Sequence, residues 1–400
     1  MLAAFFVASA LPEFLWSNFP PIMTLVEAKY GINETTASLP IIMFSVGTVL
    51  SAGIAGKVID RRGYGLSTRI GLAMLAVFAV LRAVDGPFWL LVVAQGAIGA
   101  AFSFIAGATS SYVADRFEGK TAALVTGICV IGLYVGLGSS MVVTPLLVDH
   151  YGFGGTMRIT AAASVLILLA ASPLIRQRRG VIPIRASHPA ASSLQLVKNR
   201  TLALVFVISY LTGGLFSAVA TALEPIWTLR GFTPAQAGLA NGMFILGGIL
   251  GSFLMPLLQT RLNNAKAVLV LCSLGALLLT YPLLIAPNPL IGNVIAVFLG
   301  IFWMGNIPVC YTVMERGAGV AQAGAALSLF WAINSVGSVT LVWLFTAVMD
   351  GTSWRVAAGV TLALLALNQL VTFALPRDPR DPHDPRDPRD PQRVNAARRV

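Results

Sequence analysis

The sequence is poor in charged residues: Asp, Glu, Lys and Arg together make up 11% of its 400 residues. Soluble domains carry about 25% charged residues, so the chain falls outside that class. Cysteine and histidine are also scarce, with three of each. Cys129, Cys272 and Cys310 each lie inside an apolar run, and neither their number nor their spacing fits a disulfide framework or a metal site.

Apolar sequence is abundant instead. The chain is 56% hydrophobic, with a mean hydropathy of +0.81. A spanning helix needs about 20 apolar residues, and backbone groups in hydrocarbon must be paired within their own segment. We therefore predict an all-α integral membrane protein with twelve transmembrane helices. The predicted spans are 2–26, 38–56, 69–84, 89–113, 121–148, 157–175, 201–224, 236–258, 266–286, 290–313, 322–349 and 354–375.

The longest internal polar connector, residues 176–200, divides these spans into six and six. We predict an N-terminal six-helix bundle (1–175), a cytoplasmic linker (176–200), a C-terminal six-helix bundle (201–375) and a disordered cytoplasmic tail (376–400). The tail contains the charged, proline-punctuated stretch "RDPRDPHDPRDPRDP", which cannot bury a core.

The distribution of Lys and Arg predicts the orientation. If both termini are cytoplasmic, 22 of the 27 basic residues fall on the inner side. The remaining five are Lys29, Arg82, Arg158, Arg230 and Arg355. We therefore expect a multi-pass protein of the cell (inner) membrane with both termini in the cytoplasm. This placement explains the net charge of +11 without nucleic acid as a partner.

The two halves of the sequence resemble each other at a shift of 200 residues. The paired positions include Gly31 with Gly231, Phe44 with Phe244, Gly47 with Gly247, Arg61 with Arg261, and Asp115-Arg116 with Glu315-Arg316. They fall in an outer loop, on one helix face and in two inner loops. Two six-helix pseudo-repeats in parallel are a transporter architecture, in which the solute binds between the halves.

The segment "GKVIDRRG", residues 56–63, resembles the G-x-x-x-D-R-x-G loop of the major facilitator superfamily. The resemblance implies the major facilitator fold, in which Asp60 and Arg61 tie helix ends together on the cytoplasmic side and stabilise the outward-facing state. Tyr64 and Gly65 replace the basic pair that usually follows. An ordinary positive-inside loop is the alternative interpretation.

Further candidate gating residues lie at the ends of other spans: Arg116, Glu315 and Arg316 in inner loops, and Glu224 at an outer end. Glu224 could equally be a simple acid at a helix end.

A closer resemblance is carried by "EFLWSNFPPI" in the first span, with Leu81-Arg82 and Gln95-Gly96. Together they resemble the branch of the feline leukemia virus subgroup C receptor-related transporters and their bacterial relatives. The resemblance implies transport of small organic solutes, including choline-type cations. It also implies an aromatic residue of the first helix in the site, and Trp16 is the matching position.

Glu13 is the most unusual residue, because a charge near the middle of a spanning helix costs about 3 kcal/mol. Desolvation favours the neutral carboxyl. Glu13 is a candidate for proton coupling or for pairing with a donor group of the solute; a structural acid beside Pro12 is the alternative. Trp16 lies three residues on, where it could stack on a planar ring or cradle a cation, or simply pack.

Polar and aromatic residues deep in later spans complete the candidate solute site: Tyr134, Trp303, Asn306 and Asn334. No cofactor is expected. The segment 114–121 fits a permissive nucleotide-loop pattern, but it joins two membrane helices and not a strand and a helix. With no paired catalytic residues in view, we expect a transporter and not an enzyme.

The sequence thus predicts a secondary active transporter that imports a small organic solute by symport, through alternating access. A planar vitamin such as riboflavin and an organocation are the candidate solutes, and protons are the candidate coupling ion. The expected partners are the solute and the lipid bilayer, with the protein a monomer. The alternatives are an exporter of drugs or metabolites and a non-transporting receptor or sensor.

Overall fold

The computed structural model of the protein describes residues 1–117, 119–175, 196–318 and 323–376. Regular structure in these ranges is helical throughout. The α-helices are α1 (Leu2–Trp16), α2 (Met23–Tyr30), α3 (Glu34–Ala37), α4 (Leu39–Arg62), α5 (Tyr64–Ala83), α6 (Phe88–Arg116), α7 (Gly119–Ala171), α8 (Arg200–Leu229), α9 (Pro234–Leu262), α10 (Ala265–Leu284), α11 (Pro289–Ala318), α12 (Ala323–Gly351) and α13 (Trp354–Phe373). Most of the predicted linker and of the tail lies outside the described residues.

The first predicted span is broken into two helices. Pro20 and Pro21 supply no backbone N–H, so α1 ends at Trp16 and a short 3₁₀ turn, Pro20–Ile22, leads into α2. The two helices and the turn together cross the bundle once, from Leu2 to Tyr30. The break frees backbone carbonyls near the end of α1, and these need partners inside the bundle.

Helix α7 contains two crossings. At 53 residues it would be about 80 Å long if straight, far more than a bilayer core of about 30 Å. It folds back at Gly152, whose φ of 66° and ψ of 176° are not helical. The chain after the turn runs back to the side where α7 began. The evidence is a contact with Arg69, near the start of α5, whose side chain donates to the carbonyls of Ser172 and Ile175 at 3.2 and 2.7 Å.

Eleven helical segments of the described residues are long and apolar enough to span a membrane, and α7 counts once among them. The bundle therefore has twelve crossings, which confirms the predicted fold class. We call the end where α1 begins the terminal end; it also holds the last residues of α4, α6 and α13. The opposite end, which holds Tyr30, Asp85 and Asp350, is called the far end.

Matching glycines hold matching helix pairs together in the two halves. A Cβ atom on Gly99 of α6 would lie 1.9 Å from the carbonyl oxygen of Phe44 in α4. A Cβ atom on Gly300 of α11 would lie 1.9 Å from the carbonyl oxygen of Phe244 in α9. Glycine thus lets the backbones touch in both places, as is common in membrane helix packing. The sequence repeat thus corresponds to equivalent helix contacts in the two halves.

Buried apolar side chains form one cluster mainly within α1–α7, the first half, and two mainly within α8–α13, the second half. Contacts between the halves include a glycine-lined crossing of α7 and α9, where Gly138 faces Ile245 and Gly242 faces Val142. At the far end the Ser38 and Thr346 hydroxyls lie 3.5 Å apart across the same boundary. These contacts mark the boundary between the first half and the second half.

Candidate functional site

Glu13 lies in α1, one residue after Pro12 and three residues before Trp16, the last residue of the helix. Its side chain is half-buried. Within the described part of the chain, no Lys or Arg forms an ion pair with its carboxylate. The Glu13 carboxyl interacts electrostatically with the phenol of Tyr134 in α7. An acid and a phenol therefore interact inside the bundle, and no ion pair to the acid is found in the described residues.

Tyr134 links the two halves. Its hydroxyl interacts with Ser252 of α9, and its phenol interacts electrostatically with that of Tyr311 in α11. Tyr311 in turn interacts with the indole of Trp331 in α12. We call Glu13, Tyr134, Ser252, Tyr311 and Trp331 the central polar cluster.

The members of the central polar cluster keep accessible surface in spite of their position between helices. Glu13, Tyr134, Ser252 and Tyr311 are half-buried, and Trp331 is 43% exposed. Polar groups in a membrane protein mark water-filled or solute-filled space, because hydrocarbon does not solvate them. The cluster has one acid, hydroxyls and aromatic faces, which suits a small solute with a ring and polar edges.

Trp16 packs against α4. It is 7% exposed, and its indole N–H donates to the carbonyl of Ile41 at 3.3 Å. Its ring lies 5.6 Å from that of Phe44. In this conformation the Trp16 side chain thus joins α1 to α4, and a contact with solute stays a prediction.

Trp303, Asn306 and Asn334 find partners on α8, within the second half. The Trp303 indole donates to the carbonyl of Thr212 at 3.1 Å, and Asn306 donates to the Thr212 hydroxyl at 3.4 Å. Asn334 donates to the carbonyl of Ser209 at 3.3 Å. Trp303 and Asn306 are buried, whereas Asn334 is half-buried. Their predicted contact with solute is untested by this geometry.

The candidate gating residues divide between the two ends. Arg61 and Arg316 are exposed at the terminal end. Arg116 lies there too, with its Nε 3.7 Å from the Asp115 carboxylate, which also accepts the Tyr64 hydroxyl at 2.7 Å. The side chains of Asp60 and Glu315 lie outside the part of the chain that the structure describes, so the predicted latch stays a prediction.

Glu224 is fully buried at the far end and joins the two halves. Its carboxylate accepts the backbone N–H of Thr24 at 3.1 Å and the Thr24 hydroxyl at 2.5 Å. Thr228, on the same helix as Glu224, donates its hydroxyl at 3.1 Å. This geometry is that of a clasp between α2 and α8, consistent with the outer-gate interpretation.

A second polar network surrounds Arg82, at the far end of α5. The guanidinium is 3% exposed and donates to the Leu15 carbonyl at 2.8 Å, to Gln95 Oε1 at 2.9 Å and to Asn18 Oδ1 at 2.9 Å. It also lies 5.5 Å from the centre of the Phe19 ring. Arg82 therefore stabilises the carbonyl end of α1, where a cation is favourable.

Asn18 extends this network to α7, because its amide donates to the hydroxyls of Ser140 and Thr144 at 2.8 and 2.9 Å. The network thus brings together the three sequence fragments "EFLWSNFPPI", Leu81-Arg82 and Gln95-Gly96. Arg82 is one of the five basic residues that the sequence predicts for the outer side. In the structure it is buried near the far end of the bundle. We call Arg82, Gln95 and Asn18 the α1 support.

Ser252 and Tyr311 are members of the central polar cluster that sequence reasoning missed. The available signal for Tyr311 was a phenol in the middle of an apolar span, next to Cys310. Ser252 offered less, because serine is common in membrane helices and usually donates to its own backbone, as Ser252 does to Gly248 at 2.9 Å.

Comparison with known proteins gives one family. A family model described as Major Facilitator Superfamily matches residues 5–229 and, in a second match, residues 202–399. An uncharacterised protein of Archaeoglobus fulgidus is 32% identical over 182 residues, which make up 46% of this chain and 82% of that protein.

Two vertebrate relatives match over shorter stretches. Solute carrier family 49 member A3 of Danio rerio is 28% identical over 149 residues, 34% of this chain and 31% of the fish protein. The Xenopus tropicalis protein of the same name is 31% identical over 88 residues, 22% of this chain and 18% of that protein. The chain thus spans less than a third of the length of either relative.

Solved structures show the same fold over nearly the whole chain. A bacterial homologue of the human lysosomal transporter Spinster, inward-facing and unoccupied, superposes with a TM-score of 0.77 at 13% identity, covering 94% of this chain and 96% of that one. The nucleoside transporter NupG, in a mutant form, gives a TM-score of 0.75 at 15% identity, covering 94% and 99%.

Proposed function

The chain belongs to the Major Facilitator Superfamily, and from that membership we propose that it imports a small organic solute by alternating access. Family membership identifies a multi-pass membrane transporter and not an enzyme. The direction of transport, the solute and the coupling ion are the proposed part. Short matches to Solute carrier family 49 proteins support the resemblance to the feline leukemia virus receptor-related branch, without carrying a solute over.

The observation that supports this proposal best is the central polar cluster. Glu13 and Tyr134 come from the first half, whereas Ser252, Tyr311 and Trp331 come from the second. A site built from both halves changes its surroundings when the halves move relative to each other. That is the property that alternating access requires of a solute site.

Hydrogen bonds between the halves support a far-end-closed conformation. Thr24 binds Glu224 and Thr35 binds Asp350, and both contacts lie at the far end. If the termini are cytoplasmic, as the positive-inside rule predicts, the far end faces outward and this conformation is inward-facing. We propose that the protein lies in the inner membrane with both termini in the cytoplasm.

The chemistry of the cluster favours a neutral, zwitterionic or cationic solute with a planar or compact ring. Tyr134, Tyr311 and Trp331 offer aromatic faces, and Glu13 offers a carboxyl that pairs with a cation when ionised and donates a hydrogen bond when protonated. Riboflavin represents the planar class and choline the cationic class. Export of the same classes by the same site is the alternative direction, and net flux decides between them.

A ligand-stabilisation measurement tests the proposed site. We expect riboflavin or choline to raise the melting temperature of the purified protein, since a ligand at 100 times its Kd adds about 2.7 kcal/mol. Tyr134→Ala should remove most of that increase. Tyr210→Ala is the matched control, because Tyr210 is a half-buried tyrosine outside the cluster, whose hydroxyl bonds Thr340 at 2.6 Å. Equal stabilisation of wild type and Tyr134→Ala would place the ligand elsewhere.

A further inference from the structure

Four carboxyl groups meet at the far end, where the two halves touch. Glu27 is in α2 and Glu34 begins α3, both in the first half. Glu224 is in α8 and Asp350 is in α12, both in the second half. We call these four residues the far-end carboxyl cluster. Glu34 interacts electrostatically with each of the other three.

Two members of the cluster are well supplied with donors. Glu224 accepts the N–H and hydroxyl of Thr24, and Asp350 accepts the N–H of Thr35 at 2.8 Å together with the Thr35 hydroxyl. Hydrogen bonds of this kind stabilise a carboxylate in its ionised form. Both bonds run between the halves, so they exist only while the far end is closed.

The other two members lack such donors. Glu34 is only 7% exposed, and its Oε1 has no hydrogen-bond partner among the described residues. Glu27 Oε1 is likewise buried and unpartnered in that part of the chain. A buried ionised carboxylate that is not fully hydrogen-bonded is strongly unfavourable, and nearby negative charges add to that cost. A proton on either group removes the cost.

Basic groups around the cluster are engaged elsewhere. Lys29 of α2 pairs with Asp85 at 3.0 Å, Arg230 at the end of α8 donates to the carbonyls of Leu284 and Ile285, and Arg355 lies over the Trp354 ring. The remaining titratable group of α2 is Tyr30, whose ring packs against Phe88. The facing ends of α4 and α9 carry no titratable side chain.

We propose that the far-end carboxyl cluster is a proton-binding site that controls closure of the far end. This inference rests on the proposed alternating-access function. In the closed state Glu34 and Glu27 are held beside Glu224 and Asp350, and a shared proton relieves the repulsion. When the halves part, water solvates all four groups and the proton leaves to the far-side solution. The ligand is the proton, and the site is separate from Glu13.

The sign of the pH dependence follows from this difference in proton binding. The closed state binds more protons than the open state, so acid favours closure and the preference is lost as pH rises. Where closure takes up one proton, the closed-to-open ratio changes by up to about tenfold per pH unit.

Spin-label distances across the far end test the inference. Val84→Cys and Thr352→Cys place labels at exposed positions of the two halves, while the three native cysteines are buried. In liposomes, the closed-to-open ratio should rise at least tenfold from pH 8 to pH 5. Glu34→Gln, which mimics the protonated acid, should stay closed across that range. Asp149→Asn, which alters an exposed acid outside the cluster, should keep the wild-type response.

A wild-type ratio that does not change with pH, or a full pH response in Glu34→Gln, would overturn the inference. If the far end opens equally at every pH, alternating access stands and only the proton site fails. If the far end stays closed in every variant at every pH, both proposals fail. Should Glu34→Gln not fold, Glu27→Gln serves instead: it should flatten the pH response, and an unchanged response would overturn the inference.

Discussion

Replacing Arg82 with alanine is expected to lower the free energy of unfolding by about 3 kcal/mol, because buried acceptors lose their donor. Asn18 Oδ1 and Gln95 Oε1 each accept from the guanidinium at 2.9 Å. Leu15 is less affected, since Gln95 Nε2 also donates to its carbonyl at 3.2 Å. In detergent, that loss corresponds to a fall of about 4 °C in melting temperature for a chain of 400 residues.

Arg158→Ala is the matched control, because Arg158 is exposed in the returning part of α7, and its melting temperature should stay near that of wild type. A double-mutant cycle sharpens the test. Arg82→Leu and Gln95→Leu should each destabilise the protein, whereas the double variant should cost clearly less than their sum, since the orphaned pair is then removed together. Additive costs, or a harmless Arg82→Ala, would show that the α1 support does not hold α1 in place.

Replacing Glu13 with glutamine is expected to abolish concentrative uptake while exchange of solute survives. Glutamine has nearly the same shape but does not bind and release a proton at ordinary pH, so solute movement can no longer be driven by a proton gradient. With one proton per solute, a gradient of two pH units supports accumulation of up to about 100-fold. Proteoliposomes that contain Glu13→Gln should stop at equal concentrations on both sides.

Two further variants frame that experiment. Glu13→Asp keeps a titratable group and should retain part of the accumulation, whereas Asp149→Asn removes an exposed carboxyl and should behave as wild type. Uptake is measured with riboflavin and with choline, each with the proton gradient imposed and then dissipated. Full accumulation by Glu13→Gln would show that this carboxyl does not couple protons to transport.

The fold could be predicted from the sequence because membrane insertion leaves few options. Apolar runs of about 20 residues must be helical in hydrocarbon, so the twelve crossings follow from spacing alone. Two local features could not be predicted in the same way. The first span breaks at Pro20, and α7 runs past Asp149 and His150 before it turns at Gly152. Helix can continue outside the hydrocarbon, where hydropathy gives no signal.

The site was harder to predict because both faces of a membrane helix are apolar. Hydropathy cannot tell the face that lines a cleft from the face that touches a neighbouring helix. Trp303 and Asn306 therefore resemble cavity residues in sequence, yet both donate to Thr212 in the structure. Glu13 and Tyr134 do lie near each other, and the Arg82 network gathers fragments that only a family resemblance had grouped.

Alternating access requires the two halves to rock about a cleft between them. Distances between the halves at both ends of the bundle measure this motion. A wedge at Ser38, which is fully buried against Thr346 of the other half, should force the far end apart. Gly359→Trp is the control, because the space beside Gly359 is open. Distances are measured with labels at Val84 and Thr352 for the far end, and at Lys57 and Leu262 for the terminal end.

If the halves rock, Ser38→Trp should lengthen the distance between the halves at the far end and shorten it at the terminal end. Gly359→Trp should leave both distances as in wild type. The far end could instead open while the terminal end stays unchanged or widens. That result would contradict alternating access by rocking, because the halves would then be separating.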